Sequence, residues 1–373
     1  MTPRPELDGP IAFFLPSLVG GGAERAILNL ARGVAGRSYE VHLALARVEG
    51  PYLPDVPSSV RIVDLRASRV LASFLPLVRY LRRARPVALV SAIGHANLVA
   101  IWARAAARVP TRVVVSAHNT LSQAAARPLS ARARLVPMLL RASQARADVV
   151  VAVSRGVADD LARTTRLPLE RIRVVPNAVV TPELLERSRE PVAHPWLAPG
   201  APPVLLGVGR LTWEKDFATL LRAFALVRRR RSARLLILGE GPDRAALEAL
   251  VRELGLGEDV QLPGFVANPW AYMRGAAAFV LSSATEGLPT VLIEALASGT
   301  SVVSTDCRSG PREILDGGRL GTLVPVGDVD ALAAAMLDAI GRPVRAAAPE
   351  AWQPFTLDAA VDRYLHAMGV AHA

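Results

Sequence analysis

The feature that most constrains this chain is an alternation that runs, stops and restarts. Short runs rich in Val, Ile and Leu fall at residues 11–15, 41–46, 60–65, 87–92, 112–116, 148–153 and 172–175. Between them lie stretches of helical periodicity at 23–35, 71–83, 97–108 and after Ser154-Arg155-Gly156. Continuous apolar strands separated by helices predict a parallel sheet covered on both faces. The alternation stops near Asn177. Residues 181–203 then carry Pro182, Pro191, Pro195, Pro199, Pro202 and Pro203, the composition of a linker. It resumes with strands at 204–207, 235–238, 260–262, 278–281, 301–305 and 322–324, and helices at 218–230, 243–254, 290–298, 328–340 and 357–368. The expectation is two doubly wound α/β domains: residues 1–178, a linker at 179–203, and residues 204–350. A C-terminal helix within 351–373 is expected to pack back on the first domain. A chain of 373 residues is long enough for two such cores.

Composition narrows the classes. Hydrophobic residues make up 51% and charged residues 21%, which excludes wholesale disorder. Cys307 is the single cysteine, so no disulfide framework holds the chain, in keeping with a reducing compartment. The apolar run at 11–19 follows Glu6 and Asp8, contains Pro16 and lacks a small-x-small cleavage pattern, so it does not read as a signal peptide. The uncharged stretch 86–103 is long enough to raise the question of a membrane span. Ser91, Gly94, His95 and Asn97 in its middle favour a buried strand, a loop and a helix instead. The expected location is cytoplasmic, or peripheral on the inner face of the membrane.

The formal net charge is +11, and of the 44 cationic side chains only Lys215 is a lysine. Residues 1–178 hold 25 arginines against 11 acids, a net of +14; residues 179–373 carry a net of −3. That asymmetry points to an anionic partner: nucleic acid, acidic lipid headgroups or a phosphorylated substrate. Nucleic acid fits poorly, because no nucleic-acid module is recognisable and aromatic residues make up only 5%. Arg127, Arg132, Arg134, Arg141 and Arg146 interleave with Leu129, Leu135, Val136, Met138, Leu139 and Leu140. Such a segment suits either an anionic membrane surface or a helix packed on the sheet with solvated arginines.

Four clusters carry chemistry, and all follow strands. Gly20-Gly21-Gly22-Ala23-Glu24-Arg25 opens a helix. Glycines let backbone approach a ligand, and a helix N-terminus offers free N–H groups, although an ordinary strand-to-helix turn looks the same. Gly209-Arg210-Leu211-Thr212-Trp213-Glu214-Lys215-Asp216 sets an arginine fork and the one lysine in a single loop, where both can face a phosphate-rich group or simply be solvated. In Glu286-Gly287-Leu288-Pro289-Thr290-Val291-Leu292-Ile293-Glu294, proline suits a first helical turn. Glu286 then precedes the helix, and Glu294 sits more than a turn inside it on a mostly apolar face. A buried glutamate there needs a partner, for which ribose hydroxyls serve; a cap carboxylate with an exposed glutamate is the alternative. His118, with Asn119, ends a strand of the first domain, expected to face the ligand side rather than the core. It suits hydrogen bonding or proton transfer, or a structural role. The only Asp-x-Asp is Asp328-Val329-Asp330, which opens a helix and reads as a cap, and no His/Cys cluster suggests zinc. No metal and no cofactor are expected.

Taken in order, these clusters resemble the retaining glycosyltransferases of family 4, which have the GT-B fold: two Rossmann-like domains facing across a cleft. The family's paired glutamates, separated by seven intervening residues, match Glu286 and Glu294. Its Gly-Arg-Leu-x-x-x-Lys segment resembles Gly209–Lys215, and its glycine loop resembles residues 20–25. Ser154-Arg155, Pro176-Asn177, Gly239-Glu240-Gly241-Pro242, Gly264-Phe265 and Gly310-Pro311-Arg312-Glu313 are further landmarks. The resemblance spans about residues 11–340.

It implies a nucleotide-sugar donor, by default a UDP-sugar. Arg210 and Lys215 would hold its diphosphate and Glu294 its ribose, with Glu286 near the reacting carbon. Phe265 and its neighbours would line the base pocket, and Glu240 would also bind the donor. Gly21, Gly22, Leu288, Pro289 and Thr290 would complete the donor site. Gly22, Arg25, His118 and Asn119 would meet a lipid-linked, glycan or other anionic acceptor. His118, Glu286, Arg210 and Lys215 would carry catalysis, in cell-envelope or polysaccharide synthesis. A nucleotide-sugar 2-epimerase of the same fold and a non-enzymatic polyanion-binding protein are the alternatives.

Overall fold

The computed structural model describes residues 8–19, 21–122, 136–342 and 347–370. Gly20 and the arginines Arg127, Arg132 and Arg134 of the basic segment lie outside the described residues. So do Leu129 and Leu135, and nothing is described of the Val136 and Met138 side chains.

The chain divides into two units. Residues 1–179 with 355–373 make the first, and residues 180–354 the second. The first contains β1 (Ile11–Leu15), α1 (Gly22–Gly36), β2 (Val41–Leu45), β3 (Val60–Asp64), α2 (Phe74–Ala84), β4 (Ala88–Ala92), α3 (Gly94–Ala107), β5 (Arg112–Ala117), α4 (Val136–Gln144), β6 (Val149–Ala152), α5 (Arg155–Thr165) and β7 (Ile172–Val174). The second contains α6 (Pro182–Arg187), β8 (Val204–Val208), α7 (Phe217–Arg230), β9 (Arg234–Leu238), α8 (Arg244–Glu253), β10 (Val260–Gly264), α9 (Pro269–Gly275), β11 (Ala278–Leu281), α10 (Thr290–Ala297), β12 (Val302–Thr305), α11 (Pro311–Ile314), β13 (Thr322–Val324) and α12 (Val329–Gly341). The chain then returns to the first unit with α13 (Leu357–Met368).

Both sheets are parallel. The first runs β3-β2-β1-β4-β5-β6-β7 and the second β10-β9-β8-β11-β12-β13. In each, successive strands build outward in one direction, then the chain crosses back and builds the other way. The crossing places β1 beside β4 and β8 beside β11, in register Ile11↔Ala88 and Ala278↔Leu205. The loops leaving those two pairs part to opposite faces, and this is where doubly wound sheets bind ligands.

The central strands β1, β2 and β4 are buried along their whole length, which is why their sequences are unbroken apolar runs. One face of the first sheet packs α1 and α13 against Ile11, Phe13, Leu15 and Val90, with Val361, Leu365 and Met368 supplied by α13. Gly33 allows that contact, since a Cβ there would lie 2.6 Å from Val361 Cγ2 and 2.8 Å from Leu357 Cδ1. Arg37 anchors the helix with ion pairs of 3.1 Å to both Asp358 and Asp362.

Within the stretch expected as a linker, residues 179–203, Pro182–Arg187 form helix α6. Thr181 caps α6, its hydroxyl accepting from Leu184 N at 3.1 Å, and Pro182 occupies the first turn. Leu184 is fully buried, and Asn268 Nδ2 donates to Arg187 O at 2.8 Å. A Thr-Pro pair is a helix start as readily as a loop signal, and that ambiguity misleads the compositional argument.

Candidate functional site

The second unit concentrates its polar contacts where β8 meets β11. Lys215 comes from the loop after β8 and Glu286 from the loop after β11. Their Nζ and Oε1 atoms lie 2.5 Å apart, both side chains largely buried. Ser283 Oγ donates to the same carboxylate oxygen at 2.7 Å. The backbones are tied as well. Ser282 Oγ donates to Lys215 O at 2.8 Å, and Ala284 N to Glu214 O at 2.8 Å.

The lysine is aimed by a chain reversal at Asp216, which takes the left-handed conformation (φ 45°, ψ 48°). Asp216 then caps α7 through Thr219, accepting from its N–H at 3.2 Å and its hydroxyl at 2.7 Å. Asp tolerates that conformation, so one residue ends the loop and starts the helix. The sequence argument sets Lys215 and Arg210 together. In the structure Lys215 meets Glu286, and Arg210 stands exposed near the start of the same loop.

A third loop, after β12, closes on this pair. Gly310 has φ +94°, and a Cβ there would strike Pro289 Cδ and come within 3.1 Å of Leu288 Cα. Only glycine fits such a backbone at such an approach. Leu288 and Pro289 are buried ahead of α10, whose first turn has no side-chain cap. Thr290 is half-buried, and Glu294 is buried on α10 among Leu292, Ile293, Ala295 and Leu296. Cys307 is buried nearby, its thiol pushed up to about 12 by burial first and then by the Glu286 carboxylate, with Lys215 opposing. Ser309 Oγ is buried without a hydrogen-bond partner. Neither Ser282, Ser283, Cys307 nor Ser309 is singled out by the sequence argument. Their short polar side chains form no motif, and only the convergence of three loops reveals them.

Two further expected residues lie on the neighbouring strands. Gly239 has φ +135° and backs onto the Gly209 carbonyl. This leaves Glu240 half-exposed, paired to Arg244 at 2.8 Å, with its Oε1 2.7 Å from where a Cβ of Gly264 would stand. Phe265, the next residue, is 76% exposed, an unusual position for a large aromatic.

In the first unit His118 follows β5 and is buried, in contrast to the open position expected of it. Its Nε2 lies 3.1 Å from Ser116 Oγ, which accepts from Tyr364 OH at 3.1 Å, and Asn97 Nδ2 donates to Ser116 O at 2.9 Å. His118 Nδ1 and Asn97 Oδ1 are buried without partners. Burial depresses the imidazole to about 4, and raises the Tyr364 phenol to about 12 against the opposing hydrogen bond to Ser116, so both are neutral near pH 7. His118 is therefore a neutral hydrogen-bonding group, not a cationic acid. Tyr364 is 248 positions away from Ser116, and no local signal links them. Asn119 is exposed. Gly21 precedes α1 and Gly22 begins it; the Glu24 carboxylate folds back against Gly21. Arg25 stacks over the Tyr52 ring, 5.7 Å from its centroid.

Asp328 accepts from Ala331 N at 2.9 Å, the cap its sequence implies. Among the described residues no group of three or more His, Cys, Asp or Glu side chains is arranged to hold a metal ion. No described helix is long and apolar enough to cross a membrane.

Comparison with known proteins gives a consistent picture. Residues 20–182 match the model of Glycosyltransferase Family 4, and residues 189–351 that of Glycosyl transferases group 1. The N-acetylgalactosamine-N,N'-diacetylbacillosaminyl-diphospho-undecaprenol 4-alpha-N-acetylgalactosaminyltransferase of Campylobacter jejuni is 30% identical over 85% of this chain and 86% of its own length. The amylovoran biosynthesis glycosyltransferase AmsD of Erwinia amylovora is 26% identical over 79% of this chain and 80% of its own. Among solved structures, the sucrose-phosphate synthase of Thermosynechococcus elongatus superposes with a TM-score of 0.79 at 21% identity, covering 96% of this chain and 98% of that one. The Anabaena protein HepE, in complex with UDP and glucose, gives 0.78 at 19% identity, over 97% and 100%. Those likenesses establish the GT-B architecture of two Rossmann-like domains. With its paired glutamates, its Lys215 loop and a relative matched along most of both chains, this protein belongs to the family 4 glycosyltransferases.

Proposed function

We propose that the protein is a retaining glycosyltransferase that moves a sugar from a UDP-sugar to a hydroxyl of a lipid-linked or glycan acceptor during assembly of an envelope polysaccharide. The observation that carries the reading is the Lys215–Glu286 pair at the switch point of the second sheet. A lysine held by a carboxylate, beside a helix start without a side-chain cap, is a site prepared for an anion that can take over the lysine.

The steps follow from charge. The donor diphosphate draws Lys215 from Glu286 and gains the planar fork of Arg210 from the same loop. Glu286 is then released beside the sugar, where positive charge builds as the bond to phosphate breaks. The negative charge growing on the leaving diphosphate is met by Lys215, Arg210 and the first N–H groups of α10, groups fixed before the reaction begins. Glu294 accepts from the ribose hydroxyls, as the family resemblance implies. Phe265 offers its exposed ring to the base. In the first unit, neutral His118 hydrogen-bonds sugar or acceptor oxygens. The departing phosphate takes the acceptor proton, as the family resemblance implies for retention.

The acceptor class is supported by the relatives: the Campylobacter enzyme is described as acting on a diphospho-undecaprenol, and a Salmonella relative as a lipopolysaccharide 1,6-galactosyltransferase. The donor base is supported by the UDP complexes of the Anabaena neighbour.

A thermal-shift panel of UDP, GDP, ADP and their sugars on wild type and Lys215→Ala tests the reading. Ligand that binds only the folded chain raises its melting temperature. UDP is expected to give the largest rise, and Lys215→Ala to lose most of it. The lysine variant also leaves Glu286 without its cation and melts lower unliganded, so the quantity read is the ligand-induced shift. A response to another nucleotide alone would overturn the UDP assignment. No response to any would overturn the donor site.

A further inference from the structure

Between Asp64 and Asp148 the chain holds fourteen arginines and no acidic residue. Five of these arginines, Arg66, Arg69, Arg79, Arg82 and Arg83, lie in α2 and the stretch before it. The 3-10 turn Val70–Ser73 runs directly into α2. Leu77, Val78 and Leu81 face inward against Ala96, Val99, Ala100 and Ala103 of α3. The opposite side carries Leu71 and Leu75, each 59% exposed, and then Arg79 and Arg83, all at or near the helical spacing of one exposed stripe. Arg69, before the turn, is exposed as well. The nearest acids are engaged: Asp64 with Arg66 and Glu40 with His42.

Two leucines presented to solvent at i and i+4 are unusual, because elsewhere in α2 the large aliphatic residues turn inward. An apolar tip flanked by unopposed arginines is complementary to a surface that is negative outside and hydrocarbon inside. Arginine adds reach, since its stem lies along apolar groups while the guanidinium meets phosphate.

We propose that the face built by Arg69, Leu71, Leu75, Arg79 and Arg83 docks the first unit on an anionic lipid bilayer. The two leucines enter the acyl boundary and the arginines pair with headgroup phosphates. The inference rests on the proposed lipid-linked acceptor for its purpose, but not for its test. It also differs from the basic segment Arg127–Arg146 singled out in the sequence, whose residues 127–135 lie outside the described residues.

The experiment is co-sedimentation of the full chain with vesicles of phosphatidylcholine alone and with about one third phosphatidylglycerol, at low and at physiological salt. Wild type is expected to sediment with the anionic vesicles only, and less at higher salt. Arg69→Gln/Arg79→Gln/Arg83→Gln is expected to weaken binding about a hundredfold. Leu71→Ser/Leu75→Ser is expected to weaken it at least about tenfold while keeping the salt dependence. None of these side chains contacts the Lys215 site, so the nucleotide-induced thermal shift of both variants should equal that of wild type. That control separates failure of this face from failure of the donor reading. Wild type that ignores anionic vesicles overturns the proposal. So do face variants that bind as well as wild type, which would assign the membrane to another segment. A change in oligomeric mass on Leu71→Ser/Leu75→Ser, read by gel filtration with light scattering, would assign the face to a second copy of the chain and likewise overturn it.

Discussion

At the scale of single residues, two side chains carry the proposed chemistry and one illustrates how burial limits it. Lys215 stands out in the sequence because every other basic side chain is arginine, and Glu286 because of its spacing to Glu294. Their pairing is not legible there: 71 positions separate them, and the loops meet only because β8 and β11 are neighbours. His118 shows the converse. Its place at a strand end is readable, but its burial depends on Ser116 and on Tyr364, supplied from the far end of the chain. The depressed imidazole pKa has a consequence for stability. Folded His118 resists protonation down to about 4, whereas the unfolded side chain protonates near 6.5. The unfolded state therefore binds more protons between those values, and stability falls as the pH drops through that window. The loss from this group reaches about 3 kcal/mol near pH 4. Urea unfolding of the first unit at several pH values is expected to show that slope for wild type and a flatter one for His118→Asn, provided the variant keeps native circular dichroism at pH 8. Equal slopes would mean the imidazole is not held neutral.

At the scale of elements, the helices and strands were largely legible because each carries a clear period, and the exceptions have physical causes. Helix α3 begins at Gly94, three residues before its apolar face does, since Ile93 turns the chain at φ +76° before the helix starts. Helix α6 was hidden by prolines that begin it rather than break a linker. Helix α9 likewise opens on Asn268-Pro269 and α11 on Gly310-Pro311, both strings that resemble loops. The three-loop convergence around Glu286 depends on Gly310 more than on any polar contact. Gly310→Val would force a branched side chain into a left-handed position and into Pro289 and Leu288. Strain and overpacking together should cost about 3 kcal/mol. Chemical denaturation of the second unit is expected to register that loss, and UDP affinity is expected to drop with it, because the start of α10 moves. An unchanged midpoint would show that the loop after β12 is free to shift.

At the scale of the whole molecule, charge is divided between the halves of the chain as the chemistry requires. The first half, at net +14, carries the arginine face proposed to meet lipid; the second, at −3, sets Arg210 and Lys215 in one loop. The fold class could be anticipated from alternation alone, and α13 completes the first unit's core after the second unit has been built. The account centres on an exchange: a donor diphosphate replaces Glu286 as the partner of Lys215. The most direct test is calorimetric titration of UDP, which lacks the sugar, into wild type, Lys215→Ala and Glu286→Gln. The exchange predicts that Lys215→Ala weakens UDP about a hundredfold, as a charge-assisted contact worth about 3 kcal/mol is lost. It predicts that Glu286→Gln binds UDP as well as wild type or better, because the lysine no longer has to be drawn from a carboxylate, while sugar transfer is lost. Glu286→Gln weakening UDP as severely as Lys215→Ala would contradict it, and would make the carboxylate part of the phosphate site rather than its competitor.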